Sequence, residues 1–200
     1  MVKLIAIVDA DVGIAKSGKI PWQFREDLKF FRQKTQHNVI IMGWKTYFSI
    51  EKSPLPNRIN CVVSGSIHPS TSSQQLDNPH IEIFQTPEQG LEKYRNRDIW
   101  IIGGAVLFNY MLTKQLVSQA FITQVHRSYD ADLFINKSLL MSNFSKIRTI
   151  ACGLTSSVIR SIASLQAESR HIKKDENDFP GILGDGINDT IAYSIYEYNL

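Results

Sequence analysis

Asp27 is the side chain best placed in this sequence for acid–base chemistry. It lies in the stretch Ile20-Pro21-Trp22-Gln23-Phe24-Arg25-Glu26-Asp27-Leu28-Lys29-Phe30-Phe31. Pro21 cannot enter a helix interior and holds Ile20 extended, so a helix is expected to open just after it. Phe24, Leu28 and Phe31 recur at i, i+4 and i+7, which is one apolar face. Asp27 stands on or beside that face. A carboxylate held among such side chains is partly desolvated, which raises its pKa and lets it hold or deliver a proton near neutral pH. The other reading is local: Glu26 and Asp27 simply favour the positive end of a helix. Glu26 points about 100° round the helix and is expected to face solvent.

Three further blocks carry chemistry. Two strand-like runs end in glycine and open a helix: Asn38–Met42 before Gly43-Trp44-Lys45-Thr46, and Ile99–Ile102 before Gly103-Gly104-Ala105. Such junctions offer free backbone N–H groups to a phosphate. Neither is the GxGxxG fingerprint, so a Rossmann fold is poorly supported. Pro54-Leu55-Pro56-Asn57-Arg58 is a rigid turn with one cation, either a solvated surface loop or a guanidinium ready for a planar carboxylate. Thr123 lies inside the apolar run Ala120–Val125, and a buried hydroxyl needs a partner. Five histidines without ligand spacing and two cysteines, Cys61 and Cys152, argue for no metal. Both cysteines read as buried and reduced.

Taken in order, these blocks resemble dihydrofolate reductase. The resemblance rests on Pro21-Trp22…Asp27-Leu28…Phe30-Phe31, Met42-Gly43-x-Lys45-Thr46, Pro54-Leu55-Pro56-x-Arg58 and Gly103-Gly104-Ala105, and spans roughly residues 1–150 and 190–200. It implies a three-layer α/β/α fold around a mixed, mainly parallel eight-stranded sheet. It also implies NADPH-dependent reduction of 7,8-dihydrofolate to tetrahydrofolate, with Asp27 as the catalytic residue and Thr123 bonded to it. The implied substrate site adds Ile5, Ala6, Leu28, Phe31, Ile50, Leu55, Arg58 and Ile102. Phe31 and Leu55 would hold the aminobenzoyl ring, and Arg58 the glutamate α-carboxylate.

For the cofactor, the resemblance implies Ala6, Ile7 and Ile14 at the nicotinamide, with Ile20 on the loop that closes over it. Gly43, Trp44, Lys45, Thr46 and Ser49 form one phosphate junction. Ile102, Gly103, Gly104, Ala105, Val106, Leu107 and Phe108 form the other. Ser64, Gly65 and Ser66 lie at the adenosine ribose. Asp132 is assigned to holding the mobile loop closed. The chain departs from the family pattern at Ala15 (often glycine), Trp44 (usually arginine) and Phe108 (often tyrosine). Related alternatives are a pyrimidine or pterin reductase of the same fold and a catalytically silent ligand-binding module.

The elements that must position these residues follow from pattern. Lys3–Val8, Asn38–Met42, Ile59–Ser64, Ile81–Phe84, Ile99–Ile102 and Ala120–Val125 read as strands, with 143–150 and 191–198 as the last two. Residues 9–19 and 68–79 read as loops. Thr86-Pro87-Glu88-Gln89 is a helix-opening capping pattern that turns Leu91 and Tyr94 inward. A single domain over 1–200 is expected, with an insertion at about 151–190. Val158, Ile162 and Leu165 recur there at helical spacing. The 43% apolar content suits one core, and a net charge of +3 is too slight to argue for nucleic acid. No apolar run approaches a membrane span, and the N-terminus lacks a signal-peptide pattern. A cytoplasmic enzyme, monomeric rather than oligomeric, is expected.

Overall fold

The computed structural model describes residues 1–22, 25–50, 54–65, 80–154 and 192–200. In chain order the elements are β1 (Val2–Val8), β2 (Gly13–Ala15), α1 (Arg25–Thr35), β3 (Val39–Gly43), α2 (Trp44–Ser49), β4 (Ile59–Val63) and β5 (Ile81–Phe84). Then follow α3 (Pro87–Lys93), β6 (Ile99–Gly103), α4 (Ala105–Thr113), β7 (Gln119–Val125), β8 (Leu133–Phe134), α5 (Lys137–Asn143), β9 (Lys146–Leu154) and β10 (Ala192–Asn199). Eight strands form one sheet in the order β5-β4-β3-β6-β1-β7-β10-β9. Pairing is parallel from β5 to β7, and β10 runs antiparallel to both β7 and β9.

Strands covered on both faces need apolar side chains at every position, which is why they read as continuous runs. β1 shows the division. Leu4, Ala6 and Val8 face the layer of α3, α4 and α5, packing with Met111, Leu112 and Leu140. Ile5 and Ile7 face the opposite layer, which α1 and α2 supply through Phe30, Phe31 and Tyr47. The expected capping box opens α3: the Thr86 side chain takes the Gln89 N–H, and the Gln89 side chain takes the N–H groups of Gln85 and Thr86.

Several expectations needed correction. The 9–19 loop contains β2, which pairs with β8 in a separate small ladder. The strand expected at 143–150 begins at Lys146 and runs to Leu154, because α5 occupies Lys137–Asn143. Cys61 is buried, and burial pushes its thiol up to about 12, but Cys152 is exposed on the edge strand β9. Leu154 and Ala192 are partners across β9 and β10, so the ends of the proposed insertion meet. The helical spacing of Val158, Ile162 and Leu165, the 68–79 loop, Phe24 and Ser66 lie outside the described residues.

Candidate active site

α1 brings Asp27 against the sheet. The helix face that packs carries Asp27, Phe30, Phe31 and Thr35: Phe30 meets Phe121 at 6.1 Å, whereas Leu28, expected on that face, is 57% exposed. Asp27 itself is half-buried. The buried Thr123 hydroxyl of β7 donates to it, so the hydroxyl that the sequence left needing a partner has one. Thr123 stands beside Ile7, near the carboxyl ends of β7 and β1, the end where open α/β sheets take ligands. Burial drives the Asp27 pKa up to about 6, and the Thr123 bond opposes this by favouring the anion.

Glu26 does not face solvent as expected. It is half-buried, its Oε2 is enclosed without a hydrogen-bond partner among the described residues, and its charge reaches the Tyr193 phenol of β10. Burial, then Glu26, then Asp27 raise the Tyr193 pKa. Trp22 is buried against Tyr129, with ring centroids 4.9 Å apart.

The raised pKa of Asp27 has a stability consequence. The neutral carboxyl favours the fold fully below the ordinary value near 3.8, and that contribution is lost as pH rises through about 6. Asp27→Asn is therefore expected to stabilise the protein at pH 7–8, by at most about 3 kcal/mol for a shift near two units. The gain should vanish as the pH falls toward 4, which thermal melts across that range will show.

The apolar side chains expected to line a substrate cleft form one cluster. Ile5, Phe31, Ile50, Leu55 and Ile102 pack with Tyr47, Trp100 and Phe121. Ala6 faces the other way, so only its backbone borders this side. The Pro54–Arg58 turn is pinned by Asn60, which the sequence reading passed over as a strand residue. Asn60 Oδ1 accepts from the Leu55 N–H at 2.9 Å, and its Nδ2 donates to Leu55 O at 2.9 Å and Arg58 O at 3.1 Å. A buried amide in an otherwise apolar strand was the available signal. The turn seats Arg58 over the Phe31 ring at 5.5 Å, with its Nε buried and without a partner among the described residues. Burial, then the nearby Arg32 charge, holds the Arg58 pKa below its ordinary value.

The two glycine junctions meet. β3 and β6 are neighbours, with Met42 opposite Gly103, and α2 and α4 open immediately beyond them. Neither helix start carries a side-chain cap, so their first N–H groups stay available. Gly103 has φ +132°, and a Cβ on Gly104 would lie 3.0 Å from Thr46 Oγ1. This is a backbone-lined cradle that crowds out a side chain at Gly104 and presents N–H groups of the kind that bind anions.

Lys45 is exposed at its rim, with Nζ 5.9 Å over the Trp44 ring, and Trp44 itself stands edge-on to Phe48. Ser49 and Gly65 are exposed, and Ser64 is buried. In α4, Val106 is 85% exposed, but Ala105, Leu107 and Phe108 turn into the core between α4 and the sheet. Ile14 is buried within β2, and Ile20 is exposed. The Ser17 N–H donates to Asp132 Oδ2 at 2.7 Å, which ties the 16–19 turn to the segment before β8. Among the described residues no group of three His, Cys, Asp or Glu side chains could hold a metal, and no helix is long and apolar enough to cross a membrane.

The family model described as dihydrofolate reductase matches residues 1–152. The chain is similar to the dihydrofolate reductase of Ureaplasma parvum, with 34% identity over 148 residues, 73% of this chain and 88% of that protein. It is also similar to the bifunctional dihydrofolate reductase-thymidylate synthase of Paramecium tetraurelia, at 30% identity over 64% of this chain; there the chain spans about a quarter of the relative, 26% of its length. Among solved structures it resembles a dihydrofolate reductase from Enterococcus faecalis complexed with NADP(H) and RAB-propyl. The TM-score is 0.66 at 22% identity, covering 100% of this chain and 95% of that one.

Proposed function

Because this chain belongs to the dihydrofolate reductase family, we propose that it catalyses the NADPH-dependent reduction of 7,8-dihydrofolate to tetrahydrofolate, in one-carbon metabolism. The observation that carries the reading is Asp27: a half-buried carboxyl, bonded to Thr123, with its pKa raised to about 6. Asp27 holds the amino and ring-nitrogen edge of the pterin and favours a proton at N5. Phe31 and Leu55 flank the aminobenzoyl ring. Arg58, desolvated and beside a second guanidinium, takes the α-carboxylate, because an anion relieves both penalties.

The residues present suit NADPH. The Gly43, Gly103 and Gly104 backbone with Thr46 offers donors where a pyrophosphate would lie, and Lys45 stands at the rim for a further phosphate. The backbone of Ala6, Ile7 and Ile14 borders the nicotinamide end. When bound, the cofactor supplies the hydride to pterin C6; the protein supplies position and electrostatics. We read the chain as a single domain carrying an insertion, because Leu154 and Ala192 already pair. We read it as a monomer because one chain supplies every group named here, and as cytoplasmic because its thiols are free.

Trp44 should relax cofactor choice. A ring in place of a guanidinium cannot clamp a 2′-phosphate with two hydrogen bonds, and Lys45 remains as a point charge. NADPH is expected to be preferred over NADH, and Trp44→Arg should sharpen that preference in steady-state kcat/KM by about tenfold, the worth of one charge-assisted hydrogen bond. A preference for NADH in the unaltered protein would show that Lys45 does not read the phosphate.

Turnover assays with NADPH and dihydrofolate test the reading as a whole.

A further inference from the structure

A fully buried carboxylate that the proposed chemistry does not use sits at the base of the 9–19 loop. Asp9 is 0% exposed. Its Oδ1 accepts from the backbone N–H of Asp11 at 2.9 Å and of Gly13 at 2.7 Å, and its Oδ2 accepts from the Tyr129 N–H at 3.2 Å. The backbone closes the same turn: Asp9 N donates to Gly13 O at 2.9 Å and Val12 N to Asp9 O at 3.1 Å. Ala10 N donates across to Arg127 O at 3.1 Å. One carboxylate thus joins the base of the loop to the segment that leaves β7. The fit is tight: a Cβ on Gly13 would fall 2.2 Å from Ala131 Cβ and 3.0 Å from each Asp9 oxygen.

Besides the β2–β8 ladder, with Asp132 N donating to Ala15 O at 2.9 Å and Ile135 N to Val12 O at 3.1 Å, and an exposed Lys16–Asp130 ion pair, the loop is held by two carboxylates in unlike surroundings. Its inner part, from Asp9 to β2, hangs on a buried anion whose charge-assisted bonds are strengthened by exclusion of water. Its outer turn hangs on an exposed contact between Ser17 and Asp132. Water competes for the outer bond and not for the buried one from the Gly13 N–H to Asp9.

We propose that Asp9 is a positioning residue for the cofactor: through the Gly13 N–H it fixes the backbone of Ile14, the next residue, against the nicotinamide end. This rests on the functional reading above. Asp9 touches neither substrate nor cofactor. Asp9→Asn keeps the shape but turns an amide NH2 toward a backbone donor, so at least one of the three bonds is lost. Asp9→Ser removes the reach of the carboxylate altogether.

The test is to measure NADPH and folate dissociation constants separately, by fluorescence titration of the full chain, for the unaltered protein, both Asp9 variants and Asp132→Asn. The Asp9 variants should bind NADPH about tenfold more weakly, the scale of one charge-assisted hydrogen bond, with folate binding nearly unchanged. Asp132→Asn should weaken NADPH less. A residue that is only scaffolding would lower both affinities together, or lower the melting temperature and neither affinity; either result overturns the proposal. If neither Asp9 variant folds, amide hydrogen exchange in the unaltered protein decides. A protected Gly13 amide beside a fast Ser17 amide supports the hold by Asp9, and equal exchange rates overturn it. A chain that binds NADPH without turning it over defeats the catalytic reading yet leaves the Asp9 comparison readable. A chain that does not bind NADPH overturns both.

Discussion

Asp27→Asn should lower turnover at pH 7 by at least about a hundredfold, the low end for a positioned acid–base group, while NADPH still binds. The carboxylate and the anion cradle belong to different parts of the sheet. Asp27 answers to Thr123 on β7, and the cradle lies where β3 and β6 end. The amide side chain can still accept from Thr123, so the fold and the pocket should survive, with the added stability expected at neutral pH. What is lost is the anion that stabilises a protonated pterin. The loss should therefore shrink at low pH, where dihydrofolate arrives already protonated. Rate–pH profiles of both proteins check this: the unaltered enzyme should show a limb governed by a group near 6, absent from the variant. Glu26→Gln is not a silent control, because Glu26 Oε2 is enclosed and its charge reaches Tyr193. Lys29→Gln on the exposed side of α1 serves better.

The second large effect is expected at Gly103. Its φ of +132° is a conformation that L side chains rarely adopt, and it lies where the cradle backbone turns past Thr46. Gly103→Ala must either strain that residue, at about 1–3 kcal/mol, or shift the peptide away from the anion position. NADPH affinity should fall by about tenfold to a hundredfold. Folate affinity should fall much less, since Phe31, Leu55 and Arg58 lie on other elements and only Ile102 adjoins Gly103. Separate titrations with each ligand check the prediction. Parallel losses would mean that Gly103 supports the whole cleft and not the cofactor end.

Much of this site could be read from local pattern. Asp27 was legible because Pro21 sets the start of α1 and the helical period then carries the carboxylate inward. The two junctions were legible only through the family resemblance, because a glycine after a strand is most often just a turn. Other features depended on chain segments far apart in sequence. Helical spacing placed Glu26 outside, but Tyr193 reaches it from β10, across more than 150 residues. Leu28, on the expected apolar face of α1, stands 57% exposed, because Phe30 and Phe31 and not Leu28 turn to the sheet. Cys152 reads as buried and lies on β9, whose place at the sheet edge depends on β10 pairing beside it. α5 was missed although Asn136 caps it, its side chain accepting from the Leu139 N–H at 3.0 Å. An Asn before a short apolar pair was a usable signal. Asp9 also went unread, since its three backbone partners appear only once the loop has folded back on the segment after β7.

The rival of another class is a catalytically silent binding module, and it would share every geometric feature described here. One measurement separates the two. The purified chain is mixed with NADPH and 7,8-dihydrofolate at pH 7, and the loss of NADPH absorbance is followed alongside tetrahydrofolate formation. The account predicts that one NADPH is consumed per dihydrofolate, with no consumption when dihydrofolate is left out. Binding of both ligands by calorimetry with no dihydrofolate-dependent loss of NADPH would contradict it.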